Sequence, residues 1–143
     1  MRLLLILLAV LLLAACRTAE PPPNPLADTA WELRALVQGG DSLTTADGLP
    51  ADLMRFEADG GFRSRSCNLC TGLYVLSDLH VVVNRLGCTR RACAPTRLEL
   101  DRYVAGRARY RLAGDQLVLY VDDDVNGIEA NLYFARVPPG VWE

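Results

Sequence analysis

The stretch from Ala108 to Arg136 reads ARYRLAGDQLVLYVDDDVNGIEANLYFAR. Three runs rich in Leu, Val, Tyr and Phe, residues 108–112, 116–121 and 128–136, are parted by Ala113-Gly114-Asp115 and by a turn from Asp122 that ends in Asn126-Gly127. Short apolar runs bounded by turn residues read as strands, and Asn-Gly and Gly-Asp pairs supply the positive φ angles that tight hairpins require. The stretch predicts three antiparallel strands in a meander.

The same punctuation continues toward the N-terminus. Ala30 to Val37, Asp52 to Ala58, Gly61 to Ser66, Gly72 to Leu76 and Leu79 to Asn84 read as strands, with Asp59-Gly60-Gly61 as a further hairpin turn. The class is therefore mainly β, a small antiparallel sheet or barrel of about eight strands. One segment, Pro95 to Gly106, breaks the rhythm. Pro95 suits a first helical turn, Leu100, Tyr103 and Val104 recur at helical spacing, Glu99 can pair with Arg102, and Gly106 is a stop. It predicts one short α-helix covering an end or the open side of the sheet.

The first residues, MRLLLILLAVLLLAAC, carry one charge at Arg2 and an unbroken apolar run from Leu3 to Leu13. That run is a secretory signal, too short for a spanning helix of about 20 apolar residues. Leu13-Ala14-Ala15-Cys16 resembles a bacterial lipobox, in which the Cys16 thiol receives a diacylglyceryl group and cleavage precedes it. Two or more acyl chains there anchor stably, at about 0.8 kcal/mol per buried methylene. The next residues, with four prolines up to Pro25 and no large apolar side chain, read as an extended tether. The chain thus divides into a signal at 1–15, a lipidated tether at 16–27, one domain at 28–137 and a tail at 138–143. Arg17 is not the aspartate that retains enteric lipoproteins in the inner membrane, which favours the outer membrane, facing the periplasm.

What remains after Pro25 is enough for one small domain and too little for two. The formal net charge is −2; with no basic tail, nucleic acid is an improbable partner. All fifteen basic residues are arginine, which excludes Schiff-base and lysine-nucleophile chemistry. Asp122-Asp-Asp-Val-Asn-Gly127 matches half of a calcium loop, but the twelfth position is Tyr133 where a bidentate glutamate belongs, so an acidic hairpin tip is the better reading. The lone His80 has no second histidine and no nucleophile elbow to serve. No catalytic residue, metal site or cofactor is assigned, and the chain is not expected to be an enzyme.

Several spaced features together resemble the META domain of HslJ-like heat-shock lipoproteins. Trp31-Glu-Leu33 is similar to the family's opening strand, and Met54-Arg-Phe56 before Asp59-Gly60-Gly61 to its next hairpin. Cys67-Asn68 with Gly72 and Tyr74 resembles its Cys-Asn-x-x-x-Gly-x-Tyr signature, and Thr89-Arg90-Arg91-Ala92-Cys93 its Thr-Arg-Met-Ala-Cys motif. Glu99 and Tyr103 resemble the helix after it, and Leu132 to Arg136 the closing strand. Ser66 stands where the family has glycine, Arg91 replaces the methionine, and Cys70 and Cys88 are additional. The resemblance implies a lipocalin-like antiparallel β-barrel with one helix. It singles out Asn68, Thr89 and Arg90 as a polar set, either structural or ligand-holding, and links the chain broadly to envelope stress without implying a catalytic mechanism.

Four cysteines, Cys67, Cys70, Cys88 and Cys93, lie in the domain. They fit a zinc thiolate set, a redox pair or structural disulfides. An oxidising exported compartment and a strand after the Cys-x-x-Cys favour disulfides. Facing residues of an antiparallel hairpin keep a nearly constant sum of positions. Cys67 with Cys93 and Cys70 with Cys88 nearly satisfy this, given a bulge, whereas the crossed pairing does not. Cys67 with Cys93 then joins the two cysteines of the family pattern, and Cys70 with Cys88 is an added clamp.

Two functions fit these expectations. The first is a non-catalytic, membrane-tethered barrel that binds an envelope protein or supports envelope integrity under stress. The second is a carrier or sensor holding a lipid or small apolar ligand inside the barrel.

Overall fold

A computed structural model describes residues 23–44, 50–94 and 97–142. Cys16, the signal and most of the tether lie outside the described residues, as does the helix-opening Pro95. Nine strands form one sheet: β1 Thr29–Gln38, β2 Asp41–Thr44, β3 Leu53–Phe56, β4 Gly61–Arg65, β5 Leu69–Leu76, β6 His80–Cys88, β7 Gly106–Ala113, β8 Gln116–Asp123 and β9 Ile128–Val137. Neighbours follow chain order from β3 to β9, all antiparallel, and β9 pairs back onto β1. Eight strands therefore close a barrel, with β2 added beside the C-terminal half of β1. Among the described residues, closure leaves no long edge to pair with another chain.

The strand β2 is absent from the sequence reading because Asp41-Ser-Leu-Thr44 carries a single large apolar residue and gives almost no alternation signal. Its hairpin turns through Gly39 and Gly40, both at positive φ, 60° and 89°, where only glycine is unstrained. The helix is shorter than Pro95 to Gly106 suggests: α1 is one turn, Asp101–Val104. Arg97 explains the difference, because its side chain reaches Pro50 O and the Asp52 carboxylate and residues 97–100 stay out of helical register. Leu100 and Val104 still point into the core, and Arg102 pairs with Glu99 at 3.2 Å.

Alternation along the strands fills the interior. Trp31, Met54, Phe56, Phe62, Leu117 and Leu132 are buried to 1% exposure or less. The Phe56 ring lies 5.4 Å from Phe62 and 4.9 Å from Tyr74, in the tilted and edge-on arrangements that aromatic quadrupoles favour. An eight-stranded barrel is just wide enough for such a filling.

The domain also takes in both flanks. Leu26, inside the segment read as tether, is a core residue, and Asn24 Nδ2 donates to the Tyr74 hydroxyl at 2.8 Å. At the other end the tail forms a 3₁₀ turn, Pro139–Trp142. Arg65 donates to Val141 O at 3.1 Å and stacks over the Trp142 ring. Among the described residues no helix is long and apolar enough to cross a membrane.

Candidate functional site

Antiparallel order brings the end of β4, the start of β5, the end of β6 and the start of β7 to one rim, and the cysteines gather there. Cys70 and Cys88 face each other in the β5–β6 ladder and form a disulfide. Cys67 and Cys93 form the second, with Cα atoms 5.7 Å apart. The nested pairing is thus the one present, although Cys93 lies beyond β6, so the loop rather than a bulge at that point accommodates the offset. The bulge itself falls lower, between Thr71 and Leu73 opposite Gly87 and Asn84. Gly72 sits in it: a Cβ there would lie 2.8 Å from Asn84 O, a backbone atom that cannot swing away.

Asn68 organises the loop that carries Cys93. Its Oδ1 accepts the Arg91 backbone N–H at 2.9 Å and the Thr89 hydroxyl at 3.3 Å, while its Nδ2 lies 3.7 Å from Cys93 Sγ. Thr89 closes the other side, its hydroxyl accepting the Leu69 N–H at 3.1 Å and its own N–H donating to Leu69 O at 3.0 Å. An amide supplies an acceptor and two donors in one plane, which is what a turn with several unpaired backbone groups needs. Ser66, at the departure from the family glycine, accepts the Leu100 N–H at 3.4 Å and so ties this rim to the helix segment.

Of the three polar residues singled out in the sequence, Asn68 and Thr89 meet; Arg90 is exposed and does not join them. Arg91 takes the place through its backbone, a role that side-chain chemistry cannot announce. Tyr74, the last signature residue, donates its hydroxyl to Glu57 O at 3.0 Å and accepts from Asn24, clamping the chain where it enters the barrel. Burial first, and the carboxylates Asp28 and Asp59 after it, push its phenol above the usual range against the opposing Asn24 bond.

The other candidates are accounted for locally. Asp123 accepts the N–H groups of Val125 and Asn126 at 3.1 and 3.2 Å and the Asn126 side chain at 2.6 Å, so this carboxylate of the calcium-like stretch builds the β8–β9 turn. Those bonds, the Asn126 side chain's foremost, hold its pKa below the usual value. His80 lies on the outer face with Arg107 Nη2 3.1 Å from Nε2, and desolvation followed by the Arg107 and Arg109 charges lowers its pKa. Cys70, Cys88 and Asp101 place ligand-type atoms within 4.8 Å of one another. With both sulfurs in a disulfide, that cluster offers a cation one carboxylate.

The ion pair Asp52–Arg97, 3.4 Å apart with side chains 5% and 12% exposed, was not legible as a site. The two residues lie 45 positions apart. Burial raises the Asp52 pKa, and Arg97 acts against that rise.

The family model described as META domain matches residues 24–128. Its first residue is Asn24, which is hydrogen-bonded to Tyr74. No curated protein matches the chain. Among solved structures, an NMR structure of a protein from Burkholderia xenovorans is similar with a TM-score of 0.59 at 24% identity, over 85% of this chain and 96% of that one. A second NMR structure is similar with a TM-score of 0.61 at 22% identity, over 77% of this chain and 90% of that one. At these identities the likeness speaks for the fold alone. The family match spans most of the chain and takes in the Cys-Asn-x-x-x-Gly-x-Tyr and Thr-Arg-x-Ala-Cys motifs that build the stapled rim: the chain belongs to the META domain family.

Proposed function

We propose that the chain is a lipid-anchored envelope lipoprotein whose barrel has a non-catalytic binding or structural role in envelope integrity or stress tolerance. The anchor is Cys16, and the favoured location is the outer membrane facing the periplasm. One observation carries the non-catalytic part. Cys67, Asn68, Gly72, Tyr74, Thr89 and Cys93 use their bonding capacity and space on one another and on nearby backbone. A catalytic set instead needs a base, a nucleophile or an oxyanion donor left available to substrate. Two disulfides also suit an exported, oxidising compartment.

The alternative, a carrier for a lipid or small apolar molecule, rests on the barrel architecture. The meeting of Trp31, Phe56, Phe62, Tyr74 and Phe134 in one interior cluster favours the first reading over it.

Metabolic labelling with a radioactive fatty acid in a bacterial host tests the anchor. The wild-type chain is expected to carry label and Cys16→Ser to lose it; label retained in Cys16→Ser would refute the assignment.

A further inference from the structure

The outer face of β5, β6 and β7 has an unusual composition. Leu73 and Val75 on β5 are 42% and 61% exposed, and Leu79 in the following turn is 66% exposed. Val75 stands opposite Val82, which stands opposite Arg107, so one cross-strand row runs from valine to valine to arginine. Arg109 faces His80 in the next row, and Arg111 follows on the same side of β7. All three arginines are exposed, and among the described residues none of them pairs with a carboxylate. Arg109 stacks over Tyr120 and Arg107 rests on His80. Asp78, beside Leu79, is the acidic residue of this turn.

We propose that this face docks against a phospholipid surface bearing anionic headgroups, the membrane to which the chain is anchored. The proposal rests on the anchoring reading for the choice of membrane. Two features select that occupant over an acidic protein. Aliphatic side chains on β5 and the β5–β6 turn, flanked by a row of arginines on β7, match an interface where apolar groups enter the headgroup layer and guanidinium groups meet phosphate. The chain also enters the fold at Asn24, bonded to the Tyr74 hydroxyl, which meets Glu57 O at the end of the barrel that carries the β5–β6 turn and Leu79. Eight residue steps from Cys16 to Asn24 cannot exceed about 29 Å, so an anchor at Cys16 keeps that end of the barrel within reach of the bilayer.

The test is vesicle flotation of the full mature chain carrying Cys16→Ser, which cannot be acylated. Vesicles of equal parts phosphatidylglycerol and phosphatidylcholine are expected to carry the protein, and pure phosphatidylcholine vesicles to carry far less. Replacing Arg107, Arg109 and Arg111 together by Gln weakens partitioning by about a hundredfold, given the contribution of each basic residue at an anionic surface. Val75→Asp with Leu79→Asp, an independent variant, also weakens it, whereas Arg90→Gln with Arg91→Gln at the stapled rim leaves it unchanged. Equal flotation with both vesicle types, or an unaltered triple variant, overturns the proposal. So does binding to soluble polyglutamate without binding to vesicles, which assigns the face to an acidic protein. Failure of the anchoring reading appears separately, as wild-type chain without an acyl group, and leaves the vesicle result as it stands.

Discussion

Asn68 Oδ1 accepts the backbone N–H of Arg91 at 2.9 Å across 23 residues of sequence, and this bond positions the loop that delivers Cys93 to Cys67. A motif residue that invites a ligand assignment is here the hinge pin of a covalent staple.

Asn68→Ala is therefore expected to destabilise the domain by about 0.5–1.5 kcal/mol, the net worth of hydrogen bonds whose partners water can reach. Asn68→Asp keeps the acceptor and should cost less. Urea denaturation of both variants with disulfides intact checks the order; equal losses would show that the acceptor is unimportant.

Removing the clamp with Cys70→Ser and Cys88→Ser together opens a closure spanning 18 residues of sequence. The chain-entropy model puts its contribution at about 3 kcal/mol. Cys70 is also buried, so the lost sulfur packing adds to that figure. A lower denaturation midpoint with a steeper slope, because the denatured chain without the cross-link is less compact, is the expected result.

Gly72→Ala places a methyl group 2.8 Å from Asn84 O and against Leu86. The β5–β6 bulge has to widen, at an expected cost of about 1–3 kcal/mol typical of overpacking. Gly87→Ala, where a Cβ meets nothing within 4 Å, is the control and should be close to neutral.

The Asp52–Arg97 pair sets a pH dependence with a definite sign. Burial raises the Asp52 pKa in the folded state above the ordinary aspartate value of 3.8. The contribution of this group is thus greatest below that value and declines as the pH rises through the folded pKa. Arg97 opposes the shift, so Arg97→Met should move the Asp52 titration further up and cost about 3 kcal/mol at neutral pH by leaving a buried carboxylate unpaired. Carboxyl-carbon NMR titration of both proteins reads the first effect and chemical denaturation the second.

How much of this was legible in the sequence depended on whether a signal was local. The hairpins of residues 108–136 could be read because apolar runs and Asn126-Gly127 or Gly114-Asp115 turns report strand and turn within a few residues. The Cys70–Cys88 pairing followed from ladder arithmetic for the same reason. The strand β2 escaped because it is polar and owes its place to β1. Local spacing overstates the helix because Arg97 bonds to Asp52, 45 positions away, a partner no local signal announces. The rim was half legible: Asn68 and Thr89 carry recognisable side chains, whereas Arg91 contributes a backbone N–H that any residue other than proline offers. Prolines around Asn24 and Leu26 give the local signal of a tether, yet their partners lie in the barrel.

Native mass spectrometry of the intact protein, extracted gently from bacterial membranes, tests the central claim most directly. The account predicts one species whose mass equals the chain from Cys16 with its acyl groups, less the four hydrogens of two disulfides, and with no further bound mass other than membrane phospholipid. A retained apolar ligand of another kind, a zinc adduct with four free thiols, or a chain lacking acylation at Cys16 would contradict it.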